Sequence, residues 1–275
     1  MGNNIQTYKS RGFFITWLLF AHIACAVSSF AITADDIIPI SADREKRMGD
    51  SIARQVEKKF EEVDDPLVQK RFEDIGKRLA PVCERQEFIY RFKVLKADEN
   101  EEKEKFFNAF ALPGGYVYIF DAMMEVLKTD ENIAGVTAHE LAHISARHSV
   151  ERLQSSLGVN ALMLLAIVTS GSGRTVAEAN MALASLMSAY SREAEIEADK
   201  LSVKYLKSAG FDPDGALGSL MMLQKLRKDG PERKYIYFKS HPYLSERISA
   251  VRTEMQGYAD FDSYINTPKD ENGFY

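Results

Sequence analysis

The 275-residue chain is 45% hydrophobic and 27% charged, a balance that supports a sizeable buried core and excludes a disordered chain. Its formal net charge is −5 and it has no long basic block, so it lacks the clustered positive surface that phosphate binding needs, and nucleic acid is excluded as a partner.

Residues 1–34 contain Lys9 and Arg11 but no Asp or Glu, and the stretch from Phe13 to Phe30 is almost wholly apolar. A basic start, an apolar run and then small residues is the layout of an export signal, with cleavage expected near Ala31 or Ala34. The same run nearly reaches the roughly 20 residues of a membrane span, so an uncleaved N-terminal anchor is the alternative. Lipidation at Cys25 is a third fate, although His22 stands where an aliphatic residue is wanted. The expected location is the periplasm or cell envelope, free or tethered to the membrane by this segment. Once the signal is removed, Cys83 stands alone and no internal disulfide is available.

From residue 35 to 275 the chain reads as one domain. Ser41 to about Ala80 has a helical pattern, started by Ser41 or Asp43 and broken at Asp64-Asp65-Pro66 because the residue before proline resists helical geometry. Glu87 to Lys96 is rich in β-branched and aromatic residues and reads as a strand. The acidic run at 98–105 reads as a solvated loop. Apolar segments at 106–112 and 116–120 flank Pro113-Gly114-Gly115 and predict a hairpin or a sharply cornered strand. A helix is expected over Asp130 to Leu153, capped by Asp130. Leu157 to Thr169 reads as a buried core helix, with membrane-surface contact the lesser alternative. Further helices are expected over Asn180–Ala209, Gly215–Lys228 and Leu244–Gln256. The fold class is α+β: mainly helical, with a small sheet lining a cleft.

The chemistry concentrates at His139-Glu140-Leu141-Ala142-His143, an HExxH pattern. Residues four apart on an α-helix sit about 40° apart around the axis and one turn along it, so both imidazoles can share a metal. Zinc lowers the pKa of a bound water towards about 7, and Glu140 is placed to take its proton during attack on a carbonyl. The pattern alone also fits a helix with two surface histidines, but two of only five histidines in the chain fall here, inside an apolar helix. A catalytic zinc needs a third protein ligand, and Glu195 is the best candidate because Asp199, one turn on, can hydrogen-bond a zinc-bound imidazole. Glu193 and Glu197 lie about 200° round the helix from Glu195 and read as solvated. Glu151 and Glu178 have no Asp four residues on. His148 would fall about 180° from His139 on a continuous helix and reads as a structural histidine. His241, in the loop Ser240-His241-Pro242, is either a turn residue or a group placed over the zinc as a fourth ligand or an oxyanion donor.

With these residues in hand, the chain resembles the zinc endopeptidase family that contains the CaaX prenyl proteases, the HtpX heat-shock peptidases and the periplasmic BepA- and LoiP-type peptidases. The matching pieces are Glu45 to Gly49, Asn108 to Gly115, Glu131 to His148, Ser191-Arg192 through Glu195 to Asp199, and His241-Pro242 with Arg247. The resemblance implies a gluzincin fold with one zinc per chain on His139, His143 and Glu195, Glu140 as base and Asp199 behind the ligands. It also implies that the histidine at His241 can take the fourth zinc position and hold the enzyme latent, as in some periplasmic members. The layout is that of the small LoiP-like members. The expected activity is hydrolysis of peptide bonds in unfolded or misassembled envelope proteins. On that expectation Asn108, Gly114, Gly115, Tyr116 and Val117 are candidate substrate-binding residues, with the segment from Tyr116 to Phe120 taking an extended substrate at an open strand edge. The alternative from another class is a zinc-containing holdase or assembly factor, which would have no need of Glu140.

Overall fold

The computed structural model describes residues 40–97, 106–167, 173–229 and 236–257. The expected export signal, Cys25 and the acidic run at 98–105 lie outside the described residues. Helix α1 (Ala42–Lys59) opens on Ser41, whose hydroxyl accepts from the Arg44 N–H, and α2 (Pro66–Leu79) opens on Asp65, whose carboxylate accepts from the Leu67 N–H. Both starts follow from short polar side chains that satisfy otherwise orphaned helix donors.

Three strands follow: β1 (Arg91–Leu95), β2 (Ala109–Leu112) and β3 (Tyr116–Phe120). The expected hairpin is present, with β2 antiparallel to β3 in the register Ala109↔Ile119 to Leu112↔Tyr116. Its turn uses Gly114 and Gly115 at φ 79° and 100°, a region that side chains with a Cβ rarely enter. The sheet order is β1-β3-β2, with β1 parallel to β3. The middle strand is therefore β3, and the expectation that Tyr116 to Phe120 offers an open edge is corrected. Sequence pattern locates a strand but does not say which neighbours it acquires.

Alternation within the sheet divides the core. Val117, Ile119, Ala109 and Ala111 face the cluster that contains α2 and the HExxH helix, while Tyr116, Tyr118, Phe120, Phe110 and Leu112 face α1. Small alanines on the first face let the HExxH helix approach β2 closely. The outer edge of β1 is covered, because the Val63 N–H donates to the Val94 carbonyl and the Gln69 side chain bonds both Phe92 and Val94. On β2, the Phe120 N–H donates to the Asn108 carbonyl, so 108, 110 and 112 form the hydrogen-bonded pairs of the ladder. The main-chain groups of Ala109 and Ala111 then point away from β3, towards the free edge.

The remaining helices are α3 (Asp121–Leu127), α4 (Asp130–Ser145), α5 (His148–Ile167), α6 (Gly173–Leu186), α7 (Arg192–Ser208), α8 (Asp214–Asp229), α9 (Ile236–Ser240) and α10 (Leu244–Gln256). Helix α4 is the hub, buried from Ile133 to Ile144 and packed on α7, α8 and α2. Its contact with α8 needs glycine on both sides: a Cβ on Gly135 would fall 2.3 Å from the Gly215 carbonyl oxygen, and one on Gly215 would fall 2.2 Å from that of Glu131. Two expected long helices are each divided. The helix expected over 130–153 ends at Ser145, Arg147 takes φ 63°, and α5 begins at His148. Its cap is Thr129 rather than Asp130, since the Thr129 hydroxyl accepts from the Asn132 N–H. The helix expected over 180–209 breaks between α6 and α7, where Ser191 caps a new start by accepting from the Ala194 N–H. Among the described residues no helix is long and apolar enough to cross a membrane.

Candidate metal centre

Four buried side chains converge between α4, α7 and the turn after α9. Donor atoms of His139, His143, Glu195 and His241 all lie within 4.8 Å of one another. The Nε2 atoms of His139 and His143 are 3.1 Å apart, and each is 3.5 Å from an oxygen of Glu195. The Nδ1 of His241 is 3.0 Å from Glu195 Oε1. Metal–ligand bonds of about 2.0–2.1 Å in a tetrahedron put donors roughly 3.3 Å apart, so the spacing fits a small cation. The donor set of imidazoles and one carboxylate suits zinc among first-row metals.

The two HExxH histidines are held differently. His139 Nδ1 lies 2.9 Å from Asp199 Oδ1, the contact expected of a carboxylate that fixes a ligand's tautomer. Asp199 is itself gripped by Arg247, with Nε and Nη2 each 2.8 Å from one carboxylate oxygen. Arg247 Nη1 is 2.8 Å from Glu195 Oε2, so one fully buried guanidinium ties Asp199 to Glu195. His143 is flanked by the Tyr190 ring, stacked at 4.0 Å and 15°, and its Nδ1 faces His148 Nδ1 at 3.0 Å. Tyr237 stacks on His241 at 4.5 Å.

Electrostatics follow from this packing. Burial and the Arg247 charge disfavour protonated His139, but the Asp199 and Glu195 carboxylates outweigh them and push its pKa up to about 9. Burial drives His143 well below the ordinary imidazole value against the pull of Glu195. Burial also raises Glu140, against the pull of His241 and His139, which makes it a better proton acceptor than an exposed carboxylate. Burial would raise Glu195 and Asp199 too, but the Arg247 charge holds both below the ordinary carboxylate range.

The sequence matches peptidase family M48 over residues 66–255, well over half of the chain. The chain belongs to peptidase family M48. Its M48 region contains all four donors, Glu140, Asp199 and Arg247. Curated relatives include the metalloprotease YcaL of Escherichia coli K12, 32% identical over 148 residues that cover 53% of this chain and 57% of the relative. The metalloprotease LoiP of the same strain is 29% identical over 151 residues, 54% of this chain and 58% of the relative. The beta-barrel assembly-enhancing protease of Yersinia pestis is 25% identical over 248 residues, 80% of this chain and 48% of the relative. The chain spans about half the length of the curated relatives it matches.

Within this M48 domain the sequence-predicted donors His139, His143 and Glu195 come together, with Glu140 beside them, Asp199 behind His139, and His241 joining as a fourth donor. Glu151 and Glu178 are not in the cluster, and Glu193 is exposed. His148 is not on the far side of a continuous helix, because the turn at Ala146-Arg147 sends it back onto His143. Glu197, expected to be merely solvated, reaches His148 Nε2 at 3.4 Å. Of the expected substrate residues, Tyr116 and Val117 lie on the central strand, Gly114 and Gly115 are packed against the main chains of Lys46 and Ile89, and Asn108 immediately precedes the edge strand β2. The role of Arg247 was missed. Its signal was its position: Leu244, Arg247, Ile248 and Val251 form one buried stripe of α10, and an arginine on an apolar stripe needs buried carboxylate partners.

Proposed function

We propose that the chain is a zinc-dependent endopeptidase acting on unfolded or misassembled proteins of the cell envelope. The convergence of His139, His143, Glu195 and His241 beside Glu140 carries this reading. Zinc, when bound there, supplies a Lewis acid that polarises a carbonyl and eases deprotonation of water near neutral pH. His139, His143 and Glu195 are the residues that would hold it. Among the described residues Glu140 Oε1 has no hydrogen-bond partner, and its carboxylate is the base that takes a proton from the attacking water and returns it to the leaving amine. Arg247 keeps Glu195 and Asp199 ionised, so Asp199 holds His139 with Nε2 directed at the ion.

The substrate edge in this reading is β2 rather than β3. Ala109 and Ala111 direct their main-chain groups outward, and an extended chain pairing there is read by its backbone rather than its sequence, which suits unfolded protein. Asn108 stands at the start of that edge. Gly114 and Gly115 serve by forming the turn that sets the hairpin. His241 has two roles in this reading, a latch when it fills the fourth corner of the donor set and an oxyanion donor when it swings aside; α9, which leads into it, is tied to the edge by the Tyr237 N–H donating to the Phe107 carbonyl. All four donors and Glu140 are buried, so substrate entry requires α9 to swing away. The export-type sequence at residues 1–34 and relatives named for enhancing beta-barrel assembly support the envelope location.

Casein cleavage tests the reading. It should stop with a chelator and return with zinc, and Glu195→Ala should lose both bound zinc and activity. Full zinc content in Glu195→Ala would assign the third ligand elsewhere. His241→Ala should raise basal cleavage of poor protein substrates and lower kcat on a good peptide, and unchanged kinetics on both would remove His241 from the site.

A further inference from the structure

We propose that His148 and Glu197 are positioning residues that fix the tautomer of His143 and thereby set the affinity of the site for zinc. This rests on His143 being a ligand. With Nε2 turned to the ion, its Nδ1 carries a proton that must find an acceptor, because a buried donor left unpaired loses the hydrogen bond it made to water. The acceptor here is neither a carboxylate nor a main-chain carbonyl. It is His148 Nδ1, 3.0 Å away. An imidazole that accepts at Nδ1 carries its proton on Nε2, and His148 Nε2 faces Glu197 Oε2 at 3.4 Å. The hydrogen bonds thus run in one direction, from His143 to His148 to the exposed carboxylate of Glu197.

The backbone is shaped for this contact. A continuous helix would carry His148 away from His143. Instead α4 stops at Ser145, and Arg147 adopts the left-handed φ of 63°, a conformation that crowds the Cβ of any residue but glycine. The Arg147 side chain anchors the turn by donating to the Ile40 carbonyl at 2.6 Å and lying 3.5 Å from Glu45. Tyr190 stacks on His143 and keeps its ring plane aimed at His148. One turn of α7 then serves the centre three times: Glu195 supplies a donor, Asp199 backs His139 directly, and Glu197 backs His143 through His148.

Chelator-competition titration of zinc, read alongside the absorption spectrum of the cobalt-substituted full chain, tests the proposal. His148→Leu should weaken zinc binding about 10- to 100-fold, the usual effect of losing a group behind a ligand histidine. His148→Asn, whose Oδ1 replaces the Nδ1 acceptor, should recover most of that loss. Glu197→Gln, on an exposed side chain with no folding penalty, should weaken binding several-fold in the wild-type background and not at all beside His148→Leu. Both His148→Leu and Glu197→Gln should shift the cobalt spectrum. Unchanged affinity and spectrum in Glu197→Gln, additive losses in the double variant, or equal losses in His148→Leu and His148→Asn would overturn the relay while leaving the ligand assignment intact. Failure of the wild-type chain to take up zinc, or full affinity in His143→Ala, would overturn the ligand reading on which the relay rests.

Discussion

His139 and His143 stand one turn apart on α4, yet the regions behind them are opposites. Behind His139 lies a fully buried charge cluster in which Arg247 meets Asp199 and Glu195. Behind His143 lie neutral groups, Tyr190 and His148, and a path that ends at the solvent-exposed Glu197. The same two-histidine geometry is therefore stabilised in one place by compensated burial of charge and in the other by a hydrogen-bond chain that water can reach. The first arrangement is costly to disturb, because every member is desolvated. The second tolerates change, because its outer member remains hydrated.

The largest expected effect breaks the buried side. Arg247→Met should cost about 3–5 kcal/mol of stability, since it leaves two buried carboxylates without a counter-charge. A urea midpoint would register this directly. Glu197→Gln should stay within about 0.5 kcal/mol of wild type in the same assay. Equal losses in the two variants would erase the distinction between the regions.

A second test sharpens the contrast through pH. The folded pKa of His139, about 9, exceeds its ordinary 6.5, so the proton stabilises the fold fully below 6.5 and that contribution is lost as pH rises through 9. His143 is shifted downward, so it weakens the fold as pH falls below the ordinary 6.5 and has no such effect above it. Asp199 and Glu195, both depressed, add stability above their ordinary carboxylate values that is lost in acid. Chelator-treated protein should therefore show its highest Tm near neutral pH, with roughly 3 kcal/mol at stake on the alkaline side. Zinc should move the maximum to higher pH, because it requires neutral imidazoles. A Tm profile with its maximum at the same pH with and without zinc would contradict these assignments.

The smallest effect falls on the packing beside His143. Tyr190→Phe keeps the stacked ring but leaves the buried Ser149 hydroxyl without its 3.1 Å partner, for an expected loss of about 1 kcal/mol and no change in zinc content. Thermal melts and metal analysis of the same sample would check both.

Much of the centre was legible in the sequence because helical spacing is a local property. His139 and His143 at i, i+4 and Glu195 and Asp199 at i, i+4 each share a face whatever the rest of the chain does. The hairpin was legible for the same reason, since Pro113-Gly114-Gly115 between apolar runs encodes its own turn. What stayed hidden depends on contacts distant in sequence. The break at Ala146-Arg147 contains neither glycine nor proline and is held by Ile40 and Glu45, about 100 residues earlier in the chain. The central place of β3 depends on its pairing with β1 across the intervening β2 segment. Arg247 could be seen as an arginine on an apolar stripe, but its partners lie on another helix.

The central claim is that Glu140 acts as base beside an ion held by His139, His143 and Glu195. Casein cleavage by zinc-loaded Glu140→Gln, with bound zinc measured in the same sample, tests it most directly. The account predicts one zinc per chain, as in the wild type, with cleavage reduced by about 100-fold or more. Cleavage at the wild-type rate with zinc in place would contradict it.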